Sequence, residues 1–322
     1  MMRTDYESIR WEDGVELAPW VERTSFPEQL RFGMGFSKKY DYKAGKVCIF
    51  STTGSCTAGD ILCDYSNEFS DVCISSYSSA RLPGWVDSDT DLFLVSYSGS
   101  VGELKGVLEK AKQSGCRIHA VTSDRDWELI HGLDCDVCIL PKGMASDCAT
   151  GLILGALVGM LDSLGVSGIR DDFEAMVPVL REYRDFFLLD DDWLKGMRCF
   201  FKGKVPSFYS YPHMRSVGKR WRTTFIKEIG DLAFDSEFPE FNHNEIVGWA
   251  DAKEHSWDLL PVFFSRGVVL NMNDAILSCT LEVLDSKGRD YLIIDFEGCN
   301  DLERILKGVM MADFVNFKGC LQ

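Results

Sequence analysis

From Lys46 onward, short apolar runs rich in β-branched and aromatic residues alternate with longer stretches of helical period. Lys46–Ser51 (KVCIFS), Asp71–Ser76, Asp91–Val95 (DLFLV), Arg117–Thr122 and Val137–Leu140 read as strands. Between them, Cys56 to about Asn67 and Val101–Ser114 read as helices. In the second, Leu104, Val107, Leu108 and Ala111 share one face and Lys105, Glu109 and Lys112 the other, with Gly115 as a stop. Cys148–Leu164 reads as a long apolar helix, and its most apolar run, Ala149–Leu161, is interrupted by Gly151, Gly155 and Gly159. It is too short to span a bilayer and predicts a buried helix. Strands alternating with helices predict an α/β fold, a parallel sheet sandwiched by helices. Residues 1–45 are mixed and acidic, and are expected to form helices that pad the outside.

The second half repeats the alternation. Residues 166–198 are charged and helical. Val205–Tyr209 opens the second domain, which begins near Phe200, and Met214–Gly230 is a basic helix. Its Arg215, Lys219, Arg220 and Arg222 read as a solvated face paired with acidic neighbours. Leu259–Phe264 and Tyr291–Phe296 read as strands, Ile276–Leu284 fits either helix or strand, and Asp301–Lys318 is helical, with or without a break. The expected layout is an N-terminal domain with a helical extension over 1–165, a helical connector over 166–199 and a C-terminal domain over 200–322.

Charge and cysteine usage narrow the partners. The 322 residues carry 34 basic and 50 acidic side chains, a net charge of −16. Such a chain is a poor partner for nucleic acid or an anionic membrane surface. Of twelve cysteines, only Cys135 and Cys138 stand close together, with no second pair and no histidine cluster. Two strand thiols, rather than a metal site, is the reading. The start at Met1 has no apolar signal segment, and free thiols fit a reducing cytoplasm.

Two loops carry candidate chemistry. Thr52-Thr53-Gly54-Ser55 and Ser96-Tyr97-Ser98-Gly99-Ser100 each follow a strand and precede a helix. A helix start offers unsatisfied N–H groups, serine adds donors, and glycine lets the backbone approach an anion. Neither loop is a P-loop or GxGxxG, so a small phosphorylated ligand is favoured over a nucleotide. Tyr97 is expected to pack beneath its loop. A third stretch, Phe238–Trp249 (FPEFNHNEIVGW), packs His243, Glu240, Glu245, Asn242 and Asn244 between apolar anchors. By itself it reads equally as a polar turn into a helix or as a site. His119, His131, His213 and His255 lack motif partners and read as surface or core.

Thr53-Gly54-Ser55-Cys56-Thr57-Ala58-Gly59-Asp60, Leu82-Pro83-Gly84-Trp85-Val86, Val95-Ser96-Tyr97-Ser98-Gly99 and Phe238–Glu245 resemble segments of the bifunctional phosphoglucose/phosphomannose isomerases. That resemblance implies two sugar isomerase (SIS) domains, each a three-layer α/β/α sandwich, in a homodimer. It implies conversion of glucose 6-phosphate or mannose 6-phosphate to fructose 6-phosphate, with no metal or cofactor. By the same likeness Gly54, Ser55, Ser96 and Ser98 hold the phosphate, His243 opens the sugar ring and Lys307 assists. Departures are equally specific. The family's C2–C1 base is Lys227 here, with Glu228 next to it. Its stabilising arginine is Asp147, the threonine ending the second phosphate loop is Val101, and its Gly-Gly is Asp124-Arg125. These departures keep open a non-catalytic phosphosugar-binding or regulatory protein.

Overall fold

The strands predicted between residues 46 and 140 form one sheet. In the computed structural model, residues 5–14, 16–79, 81–99, 104–131, 135–189, 191–251, 258–265 and 275–317 are described. Val101 and His255 lie outside them. The chain divides into two units, Met1–Arg181 and Glu182–Gln322.

In the first unit, β1 (Lys46–Ser51), β2 (Cys73–Tyr77), β3 (Thr90–Val95), β4 (Arg117–Thr122) and β5 (Asp136–Ile139) lie in the order β2-β1-β3-β4-β5, all parallel. A parallel sheet covered on both faces needs strands that are apolar on both sides, and every residue of β3 is buried. Its helices are α1 (Pro19–Thr24), α2 (Phe26–Gly33), α3 (Cys56–Phe69), α4 (Leu104–Ser114) and α5 (Thr150–Ser163). The face of α4 expected to be apolar is the buried one and joins a core of Phe50, Leu92, Leu94 and Trp127.

The N-terminal region does more than pad the exterior. Helix α2 is largely buried, with Leu30 and Gln29 fully so. It packs on the glycine stripe of α5. A Cβ at Gly151, Gly155 or Gly159 would come within 2.6, 2.3 or 2.2 Å of the carbonyl oxygens of Phe26, Leu30 and Phe36. The stripe therefore exists to let two backbones touch.

Helices α6 (Ile169–Leu189) and α7 (Asp191–Phe201) follow. The second unit's sheet is β6 (Val205–Ser210), β7 (Phe234–Glu237), β8 (Leu259–Ser265) and β9 (Leu292–Asp295), in the parallel order β7-β6-β8-β9. Its helices are α8 (Arg215–Ile229), α9 (Glu240–His243), α10 (Glu245–Asp251), α11 (Ala275–Ser286) and α12 (Asp301–Asn316). The ambiguous run near Ile276 is thus helix, and the C-terminal region is one unbroken helix to Asn316. The edge strand β7 had no sequence signal: Phe-Asp-Ser-Glu lacks the apolar alternation of a strand. Helix α8 stops at Gly230, whose φ of 82° is the left-handed conformation glycine takes without strain.

The basic face of α8 needs a correction. Arg215 and Arg222 pair with Glu237 and Asp235 as expected. Arg220, however, is 1% exposed, and its guanidinium donates to the buried Asp313 carboxylate at 2.6 and 2.9 Å. It belongs to the core between α8 and α12. Both units are three-layer α/β/α domains.

Candidate functional site

Strand order places the first unit's crevice. From β1 the chain goes to β2 on one side, then crosses to β3 on the other. The carboxyl ends of β1 and β3 are therefore the point of reversal, where open α/β sheets bind ligands. Ser51 pairs in register with Val95, so the two following loops start level. They touch: the Tyr97 N–H donates to Ser55 Oγ at 3.3 Å. Ser55 and Ser96 are buried and Ser98 is exposed. Helix α3 begins at Cys56, so its first N–H groups face the same loop.

Tyr97 packs beneath, as expected. Its hydroxyl donates to the Pro141 carbonyl at 2.7 Å and accepts from the Met144 N–H at 3.3 Å, and burial pushes its pKa up to about 12. This ties the serine loop to residues 141–147. Gly54 is required there: a Cβ would lie 2.6 Å from the Asp147 backbone nitrogen. Gly99, at φ +70°, stands equally close to Asp124, 2.7 Å from its Cβ.

Each loop thus has an aspartate against it, and each aspartate has a cation. Arg23 Nη2 lies 3.8 Å from Asp147 Oδ2, with the arginine side chain 6% exposed. Lys142 Nζ lies 3.2 Å from Asp124 Oδ1. Glu22 adds a third acid: its Oε2 accepts the Ala145 N–H at 3.4 Å, and burial raises its pKa. Glu22 and Arg23 escaped the sequence reading because α1 is only six residues long. That is under two turns, too short for periodicity to mark a buried face.

In the second unit the stretch around His243 is partly anchored. Glu245 accepts the Tyr209 and Ser236 hydroxyls, both at 2.6 Å, and Trp249 Nε1 donates to the Tyr209 hydroxyl at 2.9 Å. Asn242 accepts the Thr280 hydroxyl at 2.9 Å, and Asn244 bonds Glu240. His243 ends α9 and is exposed. Polar residues that share one motif therefore divide between holding the segment and facing outward. Lys307 lies on α12, its Nζ 2.6 Å from Glu303 and 2.9 Å from the Glu297 carbonyl. Burial alone would raise the Glu303 carboxyl. Hydrogen bonds from Lys307 and the Cys299 N–H outweigh it and hold the group below the usual carboxylate range.

Lys227 is exposed and Glu228 half-buried in the last turn of α8. Helix α8 starts at the carboxyl edge of the sheet and runs back over it. Twelve residues at 1.5 Å each carry Lys227 about 18 Å along the axis. His243 follows β7 at the carboxyl edge. Within this unit, Glu228 and His243 belong to opposite edges of the sheet.

Residues 197–319 match the model of the bacterial phospho-glucose isomerase C-terminal SIS domain. A bifunctional phosphoglucose/phosphomannose isomerase of Thermoplasma volcanium is 22% identical over 298 residues, covering 92% of this chain and 90% of the relative. A D-glucosamine-6-phosphate 4-epimerase of Sulfolobus acidocaldarius is 27% identical over 205 residues, 63% of each chain. Among solved structures, a putative phosphosugar isomerase of Clostridium difficile 630 superposes with a TM-score of 0.74 at 12% identity, covering 95% of this chain and 93% of that one. Both units are SIS-like domains, and the chain is a SIS-domain member of the phosphosugar isomerase superfamily. It is related, at 22–26% identity, to the bifunctional phosphoglucose/phosphomannose isomerases of bacteria and archaea.

Proposed function

We propose that this protein interconverts glucose 6-phosphate or mannose 6-phosphate with fructose 6-phosphate. The observation that carries the reading is the meeting of two serine–glycine loops where β1 and β3 reverse, at the start of α3. A phosphomonoester suits that place. The helix start supplies N–H donors, Gly54 allows close approach, and Ser55, Ser96 and Ser98 supply hydroxyls. The names of the curated relatives, and coverage of nine-tenths of one of them, support the same reading.

In this reading the reaction uses neither metal nor redox cofactor, because its balance is internal to the sugar. Ring opening moves a proton from the O1 hydroxyl to the ring oxygen, the work assigned to His243 with Lys307. A carboxylate then removes the proton at C2 to give a C1–C2 enediol and returns a proton to C1, while the O2 hydroxyl proton passes to O1, so that the C1 aldehyde becomes a hydroxymethyl and the C2 alcohol a ketone. Glu228 is the carboxylate beside the position where the resemblance expects the base. The separation of Glu228 from His243 within one unit supports a homodimer in which His243 serves the partner's crevice. A coupled assay on both aldose phosphates tests the proposal; absence of turnover in folded protein rejects it.

A second reading, a non-catalytic phosphosugar-binding or regulatory protein, is favoured by specific residues. Asp147 and Asp124 stand against the two loops, and an exposed Lys227 occupies the expected base position. It predicts a rise in melting temperature with sugar phosphate and no turnover.

A further inference from the structure

The end of β1 and the turn after it hold two hydroxyls that the proposed function does not use. Ser51 ends β1 and Thr52 follows it, 1% and 5% exposed. Among the described residues neither Ser51 Oγ nor Thr52 Oγ1 has a hydrogen-bond partner. Their surroundings are otherwise well satisfied. The Ser51 carbonyl accepts the Cys56 thiol, the Thr52 carbonyl accepts the Ser55 N–H at 3.2 Å, and Ser55 Oγ accepts the Tyr97 N–H. Buried hydroxyls are ordinarily paired, and a pair of idle ones calls for a reason.

Place supplies the reason. Both sit on the strand end and turn that lead into α3, where the sheet order reverses. Apolar side chains of the same shape would be cheaper here unless something polar arrives. Gly59 shows how closely this strand meets its helix: a Cβ there would lie 3.0 Å from Ile49 Cγ2. Ser51 is two residues on from Ile49 and shares its face of the sheet. Its hydroxyl therefore lies on the α3 side, next to the helix start.

We infer that the Ser51 and Thr52 hydroxyls are ligand-binding groups, kept unpaired within the protein to hydrogen-bond the oxygens of a bound sugar phosphate. The inference rests on the phosphosugar reading for the identity of the ligand. It does not rest on it for the claim that the hydroxyls are held for a ligand. The two residues extend the binding set upstream of the serines that resemblance points to, onto the strand itself.

The test uses Thr52→Val and Ser51→Ala in the full-length protein. Melting temperature is measured without ligand, and affinity by calorimetry with glucose 6-phosphate, fructose 6-phosphate and inorganic phosphate. A hydroxyl held idle for a ligand costs the free protein stability. Thr52→Val should therefore leave the ligand-free melting temperature unchanged or raise it by about 2 °C. Affinity for the sugar phosphates should fall about tenfold, the usual scale of one lost hydrogen bond. A hydroxyl satisfied by a structural water would behave oppositely, and a fall of 2 °C or more in the free protein overturns the inference. Unchanged affinity in both variants, where the wild type binds, also overturns it. If the wild type binds none of the three probes, the phosphosugar reading fails instead. The ligand-free melting temperatures then still decide: a value unchanged or raised supports a ligand role, and a fall of about 2 °C or more overturns it.

Discussion

Arg23 sets the charge next to the first serine loop. It is a buried cation against Asp147, whose backbone meets Gly54. Removing it leaves an aspartate facing any bound phosphate with one fewer compensating charge. Arg23→Gln should weaken sugar-phosphate binding about tenfold, roughly 1.4 kcal/mol, and should also lower stability. Adding Asp147→Asn should restore much of both, because the pair acts as a unit. Titration calorimetry on the two single variants and the double variant reads the coupling, and strictly additive losses would count against it. Ser55→Ala should cost more binding than Ser98→Ala, since the buried Ser55 hydroxyl also accepts the Tyr97 N–H and shapes the neighbouring loop. These residues differ in how legible they were. Ser55, Ser96 and Ser98 stand in loops with a physical signature, whereas nothing local to Glu22 or Arg23 distinguishes them from any charged pair on a short helix.

Among elements, the contact of α2 with α5 and the segment from α9 to α10 carry consequences. Gly155→Ala places a methyl 2.3 Å from the Leu30 carbonyl. The helices must separate, so the cost should reach the upper end of the usual 1–3 kcal/mol for overpacking. Urea unfolding measures it; a change below about 0.5 kcal/mol would mean that the packing yields freely. In the second unit, Glu245 joins β6, β7 and α10 through Tyr209 and Ser236. Glu245→Ala should destabilise by about 2–3 kcal/mol, since hydrogen bonds to a charged group are lost at a half-buried position. It should also loosen the segment that presents His243. The glycine stripe of α5 was visible in the sequence as a peculiarity, but its partner was not. Strand β7 was invisible for the converse reason: its pairing with β6 comes from backbone hydrogen bonds, and its side chains carry no alternation.

For the whole molecule, acid stability has an identifiable source in the first unit. Asp91 is fully buried and accepts from Arg117 at 2.8 and 3.0 Å and from His119 at 2.9 Å. Burial alone would raise its pKa, but these hydrogen bonds outweigh it and hold the carboxyl below its ordinary value. A depressed carboxyl contributes stability above the unfolded pKa near 3.9, and that stability is lost as pH falls through the lower folded value. The urea midpoint should therefore drop below about pH 4 more steeply for wild type than for Asp91→Asn. The variant should be weaker at pH 7 by about 1.5–3 kcal/mol, since the fully buried carboxylate loses its hydrogen bonds to Arg117 and His119. On the proposed homodimer, Ser55→Ala and His243→Ala would each disable a different half of a shared site. Mixing the two inactive variants under subunit exchange should restore up to about a quarter of the activity; no recovery would argue that each chain works alone.

Sequence by itself determined the layers. Strand-length apolar runs between helical stretches leave a parallel sheet covered on both sides as the way to bury them, and they set each serine loop between a strand end and a helix start. The tertiary structure alone decided what stands around those loops. Charges on α1 and at positions 124, 142 and 147 come together through chain crossings that no local pattern encodes. The buried pairing of Arg220 with Asp313 and the idle hydroxyls of Ser51 and Thr52 are of the same kind. Local periodicity records which face of an element is buried. It does not record which partner that face meets, and the chemistry of this site depends on those meetings.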